Sequence, residues 1–191
     1  MNKILLTALL FSAGLLSAQD IYRGKPGSKL TLEGDSNVHK WKVESIAVGG
    51  LLKISAADLA KPGPVTATAK VSLITRSLKS NNKRMDEVMH AALNAEKEKA
   101  IEFDLSGLEV KQVNGGVAQC ECKGTVKING KTQSITMPVT FTIAGDKLTV
   151  KGATELKMTA FGIKPPAPQL PTGSVTTKDE VKITFEWVTQ K

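Results

Sequence analysis

From Ala118 to Met158 apolar and polar residues alternate almost without interruption, and this pattern limits the possible folds more than any other feature of the chain. Ala118, Cys120, Cys122, Gly124, Val126 and Ile128 alternate with Gln119, Glu121, Lys123, Thr125 and Lys127. A period of two sends successive side chains to opposite faces, so the segment reads as a strand with one apolar and one polar face. Asn129-Gly130 follows at once, a dipeptide that supplies the positive φ angles of a tight hairpin. On the return, Ile135, Met137, Val139, Phe141 and Ile143 keep the rhythm. Gly145-Asp146 turns the chain again, and Leu148, Val150, Gly152, Thr154, Leu156 and Met158 continue the scheme. Residues 117–158 are therefore expected to form a three-strand antiparallel meander. Pro138 falls on its polar face, where a missing ladder donor marks a bulge or an edge.

The same rule picks out Leu30 and Leu32, alternate residues from Val65 to Leu73, then Ile101, Phe103 and Leu105, and finally Val181, Ile183, Phe185 and Trp187. The total comes to about eight strands. Apolar parity switches between Val38 and Trp41, which predicts a bulge or bend near His39 and Lys40 in the first strand. Helix is scarce. Met85, Val88, Met89 and Leu93 share one face at helical spacing and predict a helix over 82–94 that covers part of the sheet. A weaker helical turn is expected over 56–60, ended by Lys61-Pro62-Gly63-Pro64. Lys164-Pro165-Pro166-Ala167-Pro168 cannot pair as a central strand and reads as a loop near a barrel end.

Strands with one apolar face must stack as a sandwich or close into a barrel, and composition does not choose between them. A barrel of this strand number has room for one small ligand. Ala67, Ala69, Ala118, Cys120, Cys122, Gly124, Met137 and Met158 are small or flexible and leave space on the apolar faces. Periodicity alone weighs a ligand cavity evenly against a filled core with methionine as gap filler.

The N-terminus has the pattern of an export signal: Lys3, an apolar run from Ile4 to Leu16, then Ser17 and Ala18. The run is shorter than the roughly 18 residues of a spanning helix, and no cysteine follows it to carry a lipid anchor. A signal peptide over 1–18 and a single domain over 19–191, released to a periplasmic or secreted location, are the expected organisation. The net charge of +8 comes from dispersed lysines, which fits solubility. With one tyrosine and an exported chain, nucleic-acid binding is disfavoured, while weak peripheral contact with anionic headgroups stays open. Cys120 and Cys122 point to the same strand face, where a bridge would be strained. They read as small buried apolar residues, with redox or metal roles the lesser alternative. The two histidines, His39 and His90, offer no metal set: His39 reads as a polar strand-end residue and His90 as an exposed helix residue.

Several segments together resemble the YceI family. They are Gly34-Asp35-Ser36-Asn37-Val38-His39-Lys40-Trp41; Ser77-Leu78-Lys79-Ser80 with Met85-Asp86, Ala91-Ala92-Leu93 and Ala100-Ile101-Glu102-Phe103; the hairpin Lys123 to Gly130; Met158-Thr159-Ala160-Phe161-Gly162-Ile163 with Pro165-Pro166; and Lys178-Asp179-Glu180-Val181. They occur in the family's order over nearly the whole domain. The resemblance implies an all-β, lipocalin-like antiparallel barrel with one or two short helices, enclosing a long apolar tunnel that in some members binds polyisoprenoid lipids. The charged run 94–99 and Val126 depart from the family pattern and bear on ligand choice rather than fold.

Strand parity then nominates Trp41, Leu73, Met85, Met89, Phe103, Cys120, Cys122, Val126, Met137, Val139, Phe141, Met158 and Phe161 as the wall of such a cavity. The expected partner is a polyisoprenoid or other long-chain lipid, with no cofactor, no metal and no defined oligomeric state. Catalysis is disfavoured. Asp35 and His39 share a face, but Ser36 points to the other, so the three do not form a triad. The competing reading is an envelope protein-interaction module with a filled core and no ligand.

Overall fold

The computed structural model describes residues 19–171 and 173–191, so the export signal read over 1–18 lies outside the described residues. Strand β1 (Asp20–Gly24) continues into β2 (Lys29–Ser36), and β3 (Trp41–Ser45) into β4 (Val48–Ile54), each pair forming one bent stave. β5 (Gly63–Val65) and β6 (Ala67–Ile74) make the third. After helix α1 (Lys83–Ala92) come β7 (Ala100–Asn114), β8 (Val117–Ile128), β9 (Lys131–Ala144) and β10 (Lys147–Lys157). A short hairpin of β11 (Gln169–Leu170) and β12 (Gly173–Ser174) precedes β13 (Thr177–Gln190).

Each stave pairs antiparallel with the next in sequence. β13 then returns to the first, pairing β1 at Arg23↔Gln190 and β2 at Leu30↔Phe185, which closes an up-and-down barrel of eight staves. Closure gives every stave a partner on both sides over at least part of its length, which limits the edge open to another chain. The 117–158 meander forms as expected, with Asn129 at φ 49° and Gly130 at φ 71° in the first hairpin. Ala56–Ala60 forms the predicted turn as a 3₁₀ helix.

Two local expectations change. The bend predicted near His39 and Lys40 is a complete hairpin: β2 ends at Ser36, β3 begins at Trp41, and Gly34 lies opposite Trp41. Ser36 Oγ donates to the His39 carbonyl at 2.8 Å and accepts from the amides of Val38 at 3.2 Å and His39 at 3.1 Å. This serine-centred turn reverses the chain. A bulge and a reversal both switch parity, so periodicity alone cannot separate them.

Pro138 produces no bulge and stands opposite Glu121 in an unbroken β8–β9 register. It does stand beside the end of a ladder. β9 and β10 pair only as far as Val139↔Gly152, and Pro138 has no N–H with which to extend them. Beyond that point the staves part. The 3₁₀ turn Met158–Phe161 is tied across β9, with Asn129 Nδ2 donating to the Phe161 carbonyl at 3.1 Å and Gln133 Nε2 to the Ala160 carbonyl at 2.9 Å.

Helix α1 starts at Asn82, whose side-chain oxygen accepts from the Met85 amide at 3.1 Å, an N-cap that satisfies one free donor. Its apolar face lies against the upper barrel, where Met85, Met89 and Leu93 pack on Val43, Leu73 and Leu78. At the opposite end Tyr22, Leu52, Ile54, Leu59, Val110 and Leu148 form a dry core, closed by the 56–60 turn.

Candidate functional site: an apolar cavity and its mouth

Between helix α1 and the dry end the barrel is hollow. The cavity measures about 430 Å³, within the range of small-molecule sites. Its lining comes from every stave, from α1 and from the 158–168 segment. Of the residues nominated by parity, Trp41, Leu73, Met85, Met89, Phe103, Cys122, Val126, Met137, Val139, Phe141, Met158 and Phe161 all lie on this lining. Cys120 does not. It sits two residues nearer the closed end, paired with Val110 and Val139, and is packed into the dry core.

Parity missed part of the wall. Leu30, Leu32, Val43, Val48, Val88, Leu93, Ile101, Leu105, Ile135, Val150, Leu156, Val181, Ile183, Phe185 and Trp187 also face the cavity. Most were legible as apolar strand positions; which of them sit at the height of the void is set by stave tilt and stagger. Pro166, Pro168 and Val175 add an apolar rim from the proline-rich loop. That loop is held over the mouth by Asn37, whose Oδ1 accepts from the Thr176 amide at 2.8 Å, and by Arg84, which donates to the Gln169 carbonyl at 3.0 Å.

Polar groups gather at the mouth: Ser36, His39, Asn82, Arg84, Lys157 and Thr177. The Asp35 carboxylate is held below its ordinary pKa, first by the hydrogen bond from Lys178 at 2.7 Å and then by the Ser36 amide. With Ser36 Oγ spent on the turn and Asp35 on Lys178, these residues fasten the hairpin; Ser36 engages His39 only through its backbone. His90 is half-buried rather than exposed. Its Nε2 lies 3.0 Å from the Leu78 carbonyl, which can only accept, so Nε2 carries the proton and fastens α1 to the barrel.

Burial pushes the Cys120 thiol up to about 11; burial together with the neighbouring Cys120 pushes Cys122 up to about 12. Both are neutral thiols at physiological pH, unsuited to act as nucleophiles. No grouping of three or more His, Cys, Asp or Glu side chains that could hold a metal occurs among the described residues. Outside, lysines pair with carboxylates of adjacent staves, as in Lys70–Asp104, Lys127–Glu102 and Lys151–Glu186.

A closed up-and-down barrel with an apolar interior and a polar-rimmed mouth defines a binding scaffold of the lipocalin-like type. Residues 28–189 match the YceI-like domain, and the chain belongs to the YceI family. Solved structures share the fold at low identity. BcnA of Burkholderia cenocepacia superposes with a TM-score of 0.67 at 20% identity, covering 84% of this chain and 95% of that one. A polyisoprenoid-binding domain from Saccharophagus degradans gives a TM-score of 0.66 at 10% identity, covering 88% and 97%. The Campylobacter jejuni YCEI protein gives 0.58 at 12% identity, covering 100% and 99%. No curated protein gives a significant match.

Proposed function

We propose that this protein is an exported lipid carrier that holds a long apolar chain, a polyisoprenoid by preference, inside the barrel. The observation that carries the reading is the continuous apolar lining contributed by all eight staves and α1, leading from a polar rim to a dry floor. Burial provides the binding free energy. Each Å² of lipid surface withdrawn from water gains about 25 cal/mol, so a long chain is retained without covalent chemistry. Shape and length set preference, and the methionines of α1 and β9 adapt to an irregular chain.

The wall residues named above are proposed as its contacts. The polyisoprenoid-binding domain among the structural neighbours supports this choice of lipid. The leader-like segment over 1–18 supports export, and family membership is compatible with a role in the envelope. The void weighs against the filled-core interaction module.

The test is solvent extraction of protein purified from its native envelope fraction, followed by mass spectrometry. A stoichiometric isoprenoid in the extract is the expected result. A clean extract from folded protein that also refuses added polyprenols overturns the reading.

A further inference from the structure

Three cavity-facing aromatic rings share one arrangement. Gly152 on β10 lies directly opposite Phe185 on β13, and Gly34 on β2 lies directly opposite Trp41 on β3. Gly124 on β8 is the neighbour, two residues off register, of Phe103 on β7. A Cβ added to Gly152 would stand 2.5 Å from Phe185 Cζ, 2.8 Å from its Cε1 and 3.0 Å from Val139 Cγ1. One added to Gly34 would meet Trp41 Cζ2, Cε2 and Cη2, all within 2.7 Å. One added to Gly124 would meet Phe103 Cε2 and Cζ at 2.5 Å. Each ring therefore occupies the space a neighbouring side chain would fill, lying along the wall instead of across the lumen. The Trp41 ring is fixed further, since its Nε1 donates to the Asp35 carbonyl at 3.3 Å.

We infer that Gly34 and Gly152 set the bore of the tunnel: by leaving their wall positions empty they let Trp41 and Phe185 fold flat and keep the lumen open to a lipid chain. These are positioning residues; the rings touch the cargo and the glycines determine where the rings lie. The inference rests on the carrier reading for its consequence, but not for its geometry. Neither glycine has a positive φ, and the three nearest atoms an added methyl would meet are side-chain atoms at both positions. Alanine at either position is therefore compatible with the backbone, and relief comes by moving the ring, which at Gly34 also breaks the Trp41 Nε1 bond to the Asp35 carbonyl. At Gly152 the wall lies behind Phe185 and Val139 lies beside it, so the ring is displaced into the lumen. Gly124 lacks this freedom, because an added Cβ would also lie 2.5 Å from the Asp104 carbonyl oxygen, a backbone atom. It is unsuitable as a test.

The experiment compares wild type with Gly34→Ala and Gly152→Ala for uptake of an anthroyl-labelled long-chain polyprenol and for xenon occupancy of the cavity under pressure. Circular dichroism checks the fold of each. Each alanine is expected to weaken polyprenol binding about tenfold, the effect of a modest steric obstruction, and to lower xenon occupancy. In the double variant Gly152→Ala/Phe185→Leu, which removes the displaced ring, xenon occupancy should recover. Folded single variants with wild-type xenon occupancy overturn the inference, as does a folded double variant whose xenon occupancy stays low. If wild type refuses the polyprenol while the alanine variants still lose xenon, the bore assignment stands and the carrier reading fails.

Discussion

The two ends of this barrel are built from the same strands and the same alternation, yet one is filled and the other hollow. At the closed end Tyr22, Ile54 and Leu148 are 0% exposed, and Leu59 plugs the opening at 1%. At the mouth end the inward-facing Leu30, Leu32, Trp41, Ile101, Met158, Val181 and Ile183 remain half-exposed to the void they surround. The difference does not come from hydrophobicity, because both ends are apolar. It arises where the chain departs from regular pairing. The β9–β10 ladder stops beside Pro138, α1 lies over the upper barrel, and glycines take wall positions opposite large rings. Stability and capacity are thus held by different halves of one sheet.

The largest expected effect breaks the filled half. Leu59→Ala removes a buried side chain from a site with no space to collapse and should cost about 2–5 kcal/mol. Leu32→Ala, at a position already facing the cavity, adds little new void and should cost about 1 kcal/mol. Urea unfolding of the two variants measures the contrast directly. Equal losses would mean that the mouth half is packed as tightly as the floor.

A second test works at the boundary between the halves. Val139 and Phe141 on β9 belong to the dry core and also line the lower cavity. Val139→Trp or Phe141→Trp should fill that junction, reducing polyprenol uptake about tenfold at a stability cost of about 1–3 kcal/mol. Unchanged uptake by both would place the binding volume elsewhere.

The strands and hairpins that run through both halves were legible in sequence. Strict alternation from Ala118 to Met158 with its Asn129-Gly130 turn gave the strands, their hairpins and their inward faces, because a period of two admits one register against a buried core. The helix was readable from Met85, Val88, Met89 and Leu93 at helical spacing. Legibility ended where a position's depth along the barrel mattered. Cys120 and Cys122 carry the same parity signal, yet Cys122 lines the cavity and Cys120 does not. Stave tilt decides that, and it depends on closure of the whole sheet. The Ser36 hairpin was hidden for a related reason, since local parity records that the chain switched faces and not whether it reversed. Gly152 read only as one member of the alternation that ends at Met158, and Gly34 only as part of the segment 34–41 that resembles the family; both gained meaning with the rings opposite them.

The smallest expected effect concerns how firmly α1 covers the hollow half. Asp86 is buried on the helix, and desolvation alone would raise its pKa. Hydrogen bonds from the Ser80 hydroxyl and amide, both 2.7 Å, together with nearby Lys79 outweigh that and hold it below its ordinary value. A carboxylate with a depressed folded pKa contributes stability that is fully present above its unfolded value, about 3.9, and is lost as pH falls through the folded one. Protonation should therefore loosen the tie between the start of α1 and residues 79–80 without disturbing the closed end. Asp86→Asn is expected to cost about 1 kcal/mol at neutral pH, and the gap from wild type should shrink as pH falls below about 4. Thermal unfolding of both proteins across that range tests the sign. A gap that stays constant into acid would mean that the Asp86 charge does not hold the helix, leaving its apolar face and the His90 bond to Leu78 as what keeps α1 over the cavity.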